Sequence, residues 1–125
     1  EAIEDSVVYA FGGNRMRNVP LSDSPDTIYM LNLLRFNNDG GVAGYGDYGS
    51  SVGPLIRGAN GAVVLSASGI TPIISNQKID RMILVAYPSH EAFLSMLRSD
   101  AYRTISSKRT NSIELGLNFP FSDHK

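Results

Sequence analysis

The chain reads as one α+β domain of order β-α-β-β-α-β, in which a four-stranded antiparallel sheet carries two helices on one face. Three observations predict it. The 125 residues are 42% hydrophobic and 18% charged, a globular composition long enough to bury one core without staples. Four runs of strand length are apolar or alternate in polarity. Two stretches of helical spacing fall between the first and second runs and between the third and fourth.

Residues 1–26 are the least regular and are expected to form an N-terminal extension to a single domain spanning 27–125. Val7 to Phe11 has the make-up of a short strand. Gly12-Gly13-Asn14, Pro20 and Ser22-Asp23-Ser24-Pro25-Asp26 then mark turns. Arg15 and Arg17 read as solvated loop cations rather than a phosphate site.

Thr27 to Phe36 is the clearest strand, stopped by Asn37-Asn38-Asp39-Gly40-Gly41. Its near-continuous apolar character implies burial on both faces, with helices on one side and a second sheet on the other. Gly41 to Gly58 carries Val42, Tyr45, Val52 and Leu55-Ile56 at helical spacing, against Gly44, Gly46, Gly49, Gly53 and a Pro54 expected to kink it. A helix there must be held by the packing of its tyrosine face rather than by propensity. Gly58-Ala59-Asn60-Gly61 is a turn, Ala62 to Ala67 a strand, and Ser68 to Asn76 a connection. Ile79 to Tyr87 is the third strand. Ser89 then caps a helix carrying Ala92, Phe93, Met96 and Leu97, and Ser99-Asp100 caps a further turn or two. Tyr102 and Arg103 are expected to cap and pack that second helix. Ile113 to Phe119 alternates and is the fourth strand.

Net charge is −1, which gives no general attraction to nucleic acid. No apolar run approaches the ~20 residues that span a bilayer, so no membrane partner is expected. Cysteine is absent, which removes disulfides, thiolate nucleophiles and cysteine-bound zinc together. Such a chain suits either redox compartment. The cytoplasm is slightly favoured, and export with a cleaved signal peptide stays open because the chain starts at Glu1.

The segments TIYMLNLLRFN, YGDYGSSVGPLIRGANGAVV and ILVAYPSHEAFLSMLRSDAYRTISSKR, spanning about Thr27 to Arg109, resemble the domain-of-unknown-function family numbered 1330. The Tyr87-Pro88-Ser89 corner, Ala92-Phe93 and Ser99-Asp100-Ala101-Tyr102-Arg103 carry the resemblance most specifically. It implies a ferredoxin-like fold of the dimeric α/β-barrel superfamily. The free face of each sheet would pack on a second subunit, giving a homodimer. Superfamily relatives include cofactor-free oxygenases, haem-degrading enzymes, muconolactone isomerases and polyketide cyclases, so the fold does not choose a chemistry.

Gly44-Tyr45-Gly46-Asp47-Tyr48-Gly49 fits G-x-G-x-x-G, but its context fails. The preceding strand ends several residues earlier, and the next acid after Asp47 is Asp80 rather than one about 20 positions on. No nucleotide cofactor is expected. His90 and His124 are the only histidines, no metal-ligand spacing occurs, and no G-x-S-x-G elbow is present, so no metal and no hydrolase triad are expected.

Asn32 interrupts the first strand on the face it shares with Ile28, Met30 and Leu34, and a buried amide must bond to protein, water or ligand. Tyr45 and Tyr48, three apart, lie near one side of the first helix, where they either pack or line a cavity above Asn32. The resemblance implies that a first-strand asparagine faces the substrate, and it places a family-pattern arginine at Arg109. Asn32, Tyr48 and Arg109 are the expected catalytic group, with Tyr45 and His90 as substrate contacts. Asn32 and a tyrosine would hydrogen-bond an oxyanion, Arg109 would hold an acidic end, and His90 is the candidate proton shuttle that an isomerase or cyclase would need. Two readings compete. One is an enzyme without metal or nucleotide cofactor, a cofactor-independent oxygenase or an isomerase or cyclase, acting on an aromatic or carbonyl compound. The other is a non-catalytic dimeric module that binds a metabolite or serves a structural role.

Overall fold

A computed structural model describes residues 25–70 and 76–122, together with the backbone of 6–7, 10–11, 14–15 and 19–20. The domain runs β1 (Ile28–Phe36), α1 (Gly41–Gly58), β2 (Ala62–Ile70), β3 (Ile79–Tyr87), α2 (His90–Arg98), α3 (Asp100–Thr110) and β4 (Ile113–Phe121). The four strands form one antiparallel sheet in the order β2-β3-β1-β4. This is the ferredoxin-like pattern with its second helix divided, so the order is β-α-β-β-α-α-β.

Four sequence expectations shift. The further turn or two after Ser99 is a separate helix of 11 residues. Ser99 separates α2 from α3 because its backbone is extended, at φ −69° and ψ 152°. Its Oγ accepts the Tyr102 N–H at 3.1 Å and donates to the Met96 carbonyl at 2.7 Å, serving one helix end and the next start together. The second strand continues through Ile70 rather than ending at Ala67, and of the expected connection residues 71–75 lie outside the described residues. The fourth strand extends to Phe121. The strand expected over Val7 to Phe11 is two separate pairs: Ser6–Val7 joins Val19–Pro20, and Ala10–Phe11 joins Asn14–Arg15. The side chains of Arg15 and Arg17 lie outside the described residues.

The α1 helix runs through Pro54 without interruption. Its four interior glycines nominally cost about 1 kcal/mol each against alanine. Burial of Tyr45, Tyr48, Val52 and Ile56 opposes that cost, at about 1.5–3 kcal/mol for each aliphatic side chain. The helix start does require glycine. Gly40 turns the chain at φ 79°, and a Cβ on Gly41 would stand 2.5 Å from the Ser112 carbonyl. Lys108 Nζ ties α3 to α1 through Asp47 at 3.2 Å and Ser51 Oγ at 3.2 Å.

The two sheet faces differ. Met30, Leu34, Phe36, Val85 and Tyr87 point toward the helices and build the main core with α1 and Met96. The opposite face sets Leu31 beside Phe119, Leu33 beside Leu117 and Tyr29 beside Phe121. Phe119 and Phe121 are each 48% exposed there. At the β2 edge the same face carries a second cluster of Val64, Leu65 and Ala67, and the Ala10–Phe11 and Asn14–Arg15 pair lies against β2.

Candidate functional site

A cavity of about 570 Å³ lies between the helices and the sheet, within the size range of small-molecule sites. Its walls are mostly apolar, with Met30, Ile83 and Val85 on the floor and Val52, Phe93 and Met96 above. Four tyrosines, two arginines and two asparagines supply most of its polar atoms. No histidine, aspartate or glutamate is among the described residues lining it.

Strand parity places Asn32 on this floor, opposite Ile83 of β3 and Asn118 of β4. Its side-chain NH2 donates to the carbonyls of Met30 and Ile83, each at 3.3 Å. Those two bonds use both amide protons and turn Oδ1 toward Arg109, whose Nη2 donates to it at 3.5 Å and to Asn118 Oδ1 at 3.2 Å. Asn32 thus engages both amide protons with backbone carbonyls and presents its oxygen to Arg109. Arg109 meets neutral oxygens in both cases, and neither it nor Arg81 has an ion-pair partner among the described residues. Arg81 lies over the Phe36 ring at 5.0 Å.

The tyrosines form a connected wall. Tyr45 packs on Phe36 with ring centroids 5.4 Å apart and on Tyr48 at 5.3 Å. The Tyr48 hydroxyl lies 3.0 Å from that of Tyr102. Burial pushes the Tyr48 phenol far above its ordinary pKa, and its bond to Tyr102 adds to the shift. Burial also raises the Tyr87 phenol. The Tyr45 phenol rises with burial too, opposed by the charge and hydrogen bond of Arg109 beside it. All three are proton donors at neutral pH and none is a base. The cavity can hold and polarise an anionic oxygen, but among the described residues lining it no side chain is suited to removing a proton.

Four of the five expected site residues meet here: Asn32, Tyr45, Tyr48 and Arg109 line the cavity. His90 does not. It is the exposed first residue of α2 and is not among the lining residues. Tyr102, Tyr87, Arg81 and Asn118 were not anticipated. Ser99-Asp100 is a cap strong enough to start a new helix, and from it Tyr102, Ile105 and Arg109 fall on one face. The Gly44–Gly49 motif lies inside α1, where helix hydrogen bonding commits backbone N–H groups that a phosphate loop would present. Among the described residues no three histidine, cysteine, aspartate or glutamate side chains cluster as a metal site, and no helix is long and apolar enough to cross a membrane.

Residues 27–118 match the family described as a domain of unknown function, DUF1330. The chain belongs to that family. Its fold is similar to a protein of unknown function from Rhodopseudomonas palustris, at 26% identity over 81% of this chain and 85% of that one, with a TM-score of 0.73. A dimeric protein of unknown function and ferredoxin-like fold from Bacteroides fragilis shares 5% identity over 78% of this chain and 96% of that one, at a TM-score of 0.58. SnoaB, a cofactor-independent oxygenase from Streptomyces nogalater, shares 13% identity over 80% of this chain and 95% of that one, at a TM-score of 0.56. The last two likenesses are of fold alone. No curated protein matches.

Proposed function

We propose that this DUF1330 protein is a small-molecule enzyme that needs no metal or nucleotide cofactor and acts on an anionic or enolisable carbonyl compound. The observation that carries the reading is the electrostatic character of the cavity. Arg81 and Arg109 line it, no carboxylate among the described lining residues neutralises them, and the surrounding walls are mostly apolar. Two half-buried cations beside apolar walls, with no carboxylate partner among the described residues, favour an anionic guest. Arg109, steadied by Asn32 and Asn118, would hold the acidic oxygen, and a hydroxyl of the Tyr48–Tyr102 pair would donate to charge developing on a carbonyl.

With no base among the described lining residues, chemistry in which the substrate supplies its own acidity is favoured. A cofactor-independent oxygenase fits that description better than an isomerase or cyclase, because a stabilised carbanion can react with oxygen directly whereas proton shuttling needs a base. The same absence supports the second reading, a module that binds such a metabolite without turning it over.

The subunits are proposed to pair through the outer sheet face. Leu33, Leu117, Phe119 and Phe121 form a partly exposed apolar surface on it, of the kind that marks an interaction site. Neighbours of this fold are described as dimeric, which is consistent with that pairing.

The test is mass spectrometry of ligands carried through native purification, beside an oxygen-consumption screen of acidic aromatic and 1,3-dicarbonyl compounds. Recovery of an anionic small molecule, lost in Arg109→Gln, supports the site. Oxygen uptake with one compound class selects the enzyme, and binding without turnover selects the module. Failure to recover or bind any anion would remove the reading.

A further inference from the structure

The glycine load of α1 is not required by the fold along its whole length. A Cβ on Gly44 would collide with the Ser112 side chain, so that glycine is structural. Gly46 and Gly49 are different: a Cβ on either would meet nothing within 4 Å. Alanine would fit at both and would strengthen the helix. Both line the cavity, and so does Gly53. These three occupy one flank of α1, while Asp47 and Ser51, held by Lys108, occupy the other. The α1 rim of the cavity, where Gly46 and Gly49 are exposed and Gly53 is half-buried, is therefore bare helix backbone in a segment where side chains would be sterically welcome.

A second, independent feature also points to a ligand. Tyr87 lines the cavity and is only 4% exposed, yet its hydroxyl has no hydrogen-bond partner among the described residues. Its ring is fixed against Phe93, with centroids 4.9 Å apart. Burial keeps the phenol protonated, and its hydroxyl opens on the cavity, where it can donate to an acceptor held there. Tyr87 pairs with Ile28, whereas the Arg109 end of the cavity lies at Asn32, four residues further along β1. That separation is roughly 13 Å of strand, shortened by the side chains reaching in from each end.

Resting on the reading of the cavity as an anion site, we infer that its ligand is a flat, elongated carboxylate with a second oxygen at its far end. The carboxylate meets Arg109, the flat body lies against the Gly46, Gly49 and Gly53 rim, and the far oxygen accepts from Tyr87. Gly49 and its neighbours are shape-determining residues, and Tyr87 is a length-determining one. A fused two-ring skeleton has the required span, and a globular carboxylate of equal charge does not.

The probes are 6-hydroxy-2-naphthoate, 2-naphthoate and adamantane-1-carboxylate, titrated by calorimetry against the full chain. The expected order of affinity is 6-hydroxy-2-naphthoate, then 2-naphthoate, with the globular acid at least tenfold weaker than the first. Gly49→Leu should hold or raise Tm while weakening both naphthoates at least tenfold. Tyr87→Phe should leave Tm and 2-naphthoate binding unchanged while erasing the advantage of the hydroxylated probe. Arg109→Gln should weaken all three acids. If Gly49→Leu and Tyr87→Phe change no affinity but Arg109→Gln does, the shape inference is overturned and the anion site stands. If Arg109→Gln also changes nothing, both fail. Absence of saturable binding of either naphthoate to the wild-type protein at millimolar concentration overturns the shape inference, and the ligand recovered on purification then judges the anion site by itself.

Discussion

The hydroxyls of Tyr48 and Tyr102 lie 3.0 Å apart and join α1 to α3 across 54 positions of sequence. Their rings meet edge to face, with centroids 6.4 Å apart. One hydroxyl must donate to the other, which leaves the acceptor's own proton free to point into the cavity. The pair is thus a structural clasp and a hydrogen-bond donor in one unit.

Either Tyr48→Phe or Tyr102→Phe should cost about 1 kcal/mol in denaturant unfolding, the usual net worth of one such bond. The double variant should cost less than the sum, because each single change already removes the shared bond. Additive losses would show that the hydroxyls act separately.

Much of the fold was legible because its signals are local. Pro88 ends β3, Ser89 caps α2, and the apolar runs fix β1 and β3. The cavity was legible where a single residue broke a pattern, as Asn32 does in β1. Its bonds were not, since they depend on Ile83 from β3 and Arg109 from α3, which only the folded sheet brings near. Tyr102 is expected to cap and pack the second helix, and it does pack, on Tyr48; the break at Ser99 sets the helix phase that turns it inward. His90, a candidate as a histidine that could shuttle a proton, is the first residue of an exposed helix start and does not line the cavity.

Asn32→Ala should act in two ways. It removes the donors to the Met30 and Ile83 carbonyls and one oxygen that steadies Arg109. A loss of about 1–3 kcal/mol in unfolding free energy is expected. Anion affinity should fall with it, since Arg109 loses one of its acceptors and keeps Asn118 and the Tyr45 hydroxyl. A pure stability loss with unchanged affinity would show that Asn118 and Tyr45 position the guanidinium without Asn32.

The outer sheet face should hold two subunits together. Leu33 and Leu117 are register partners on it, so Leu33→Glu and Leu117→Glu each place a charge in the middle of that apolar surface. Sedimentation velocity at micromolar concentration should give a dimer for the wild type and a monomer for either variant. A wild-type monomer would rule the pairing out.

The buried phenols set the response to alkali. Folding raises the pKa of Tyr45, Tyr48 and Tyr87 above the ordinary value near 10, chiefly through burial, so the native state keeps protons that the unfolded chain gives up. Below pH 10 both states are protonated and these groups leave stability flat. Above pH 10 the unfolded chain binds fewer protons than the native one, and stability falls as pH rises. Thermal melts should therefore show a Tm independent of these groups from pH 7 to 9 and declining steeply beyond 10. Tyr48→Phe should start from a lower Tm, because the bond to Tyr102 is gone, yet decline less steeply, because one proton-retaining group has been removed. A parallel decline in wild type and Tyr48→Phe would place the alkaline sensitivity outside the cavity.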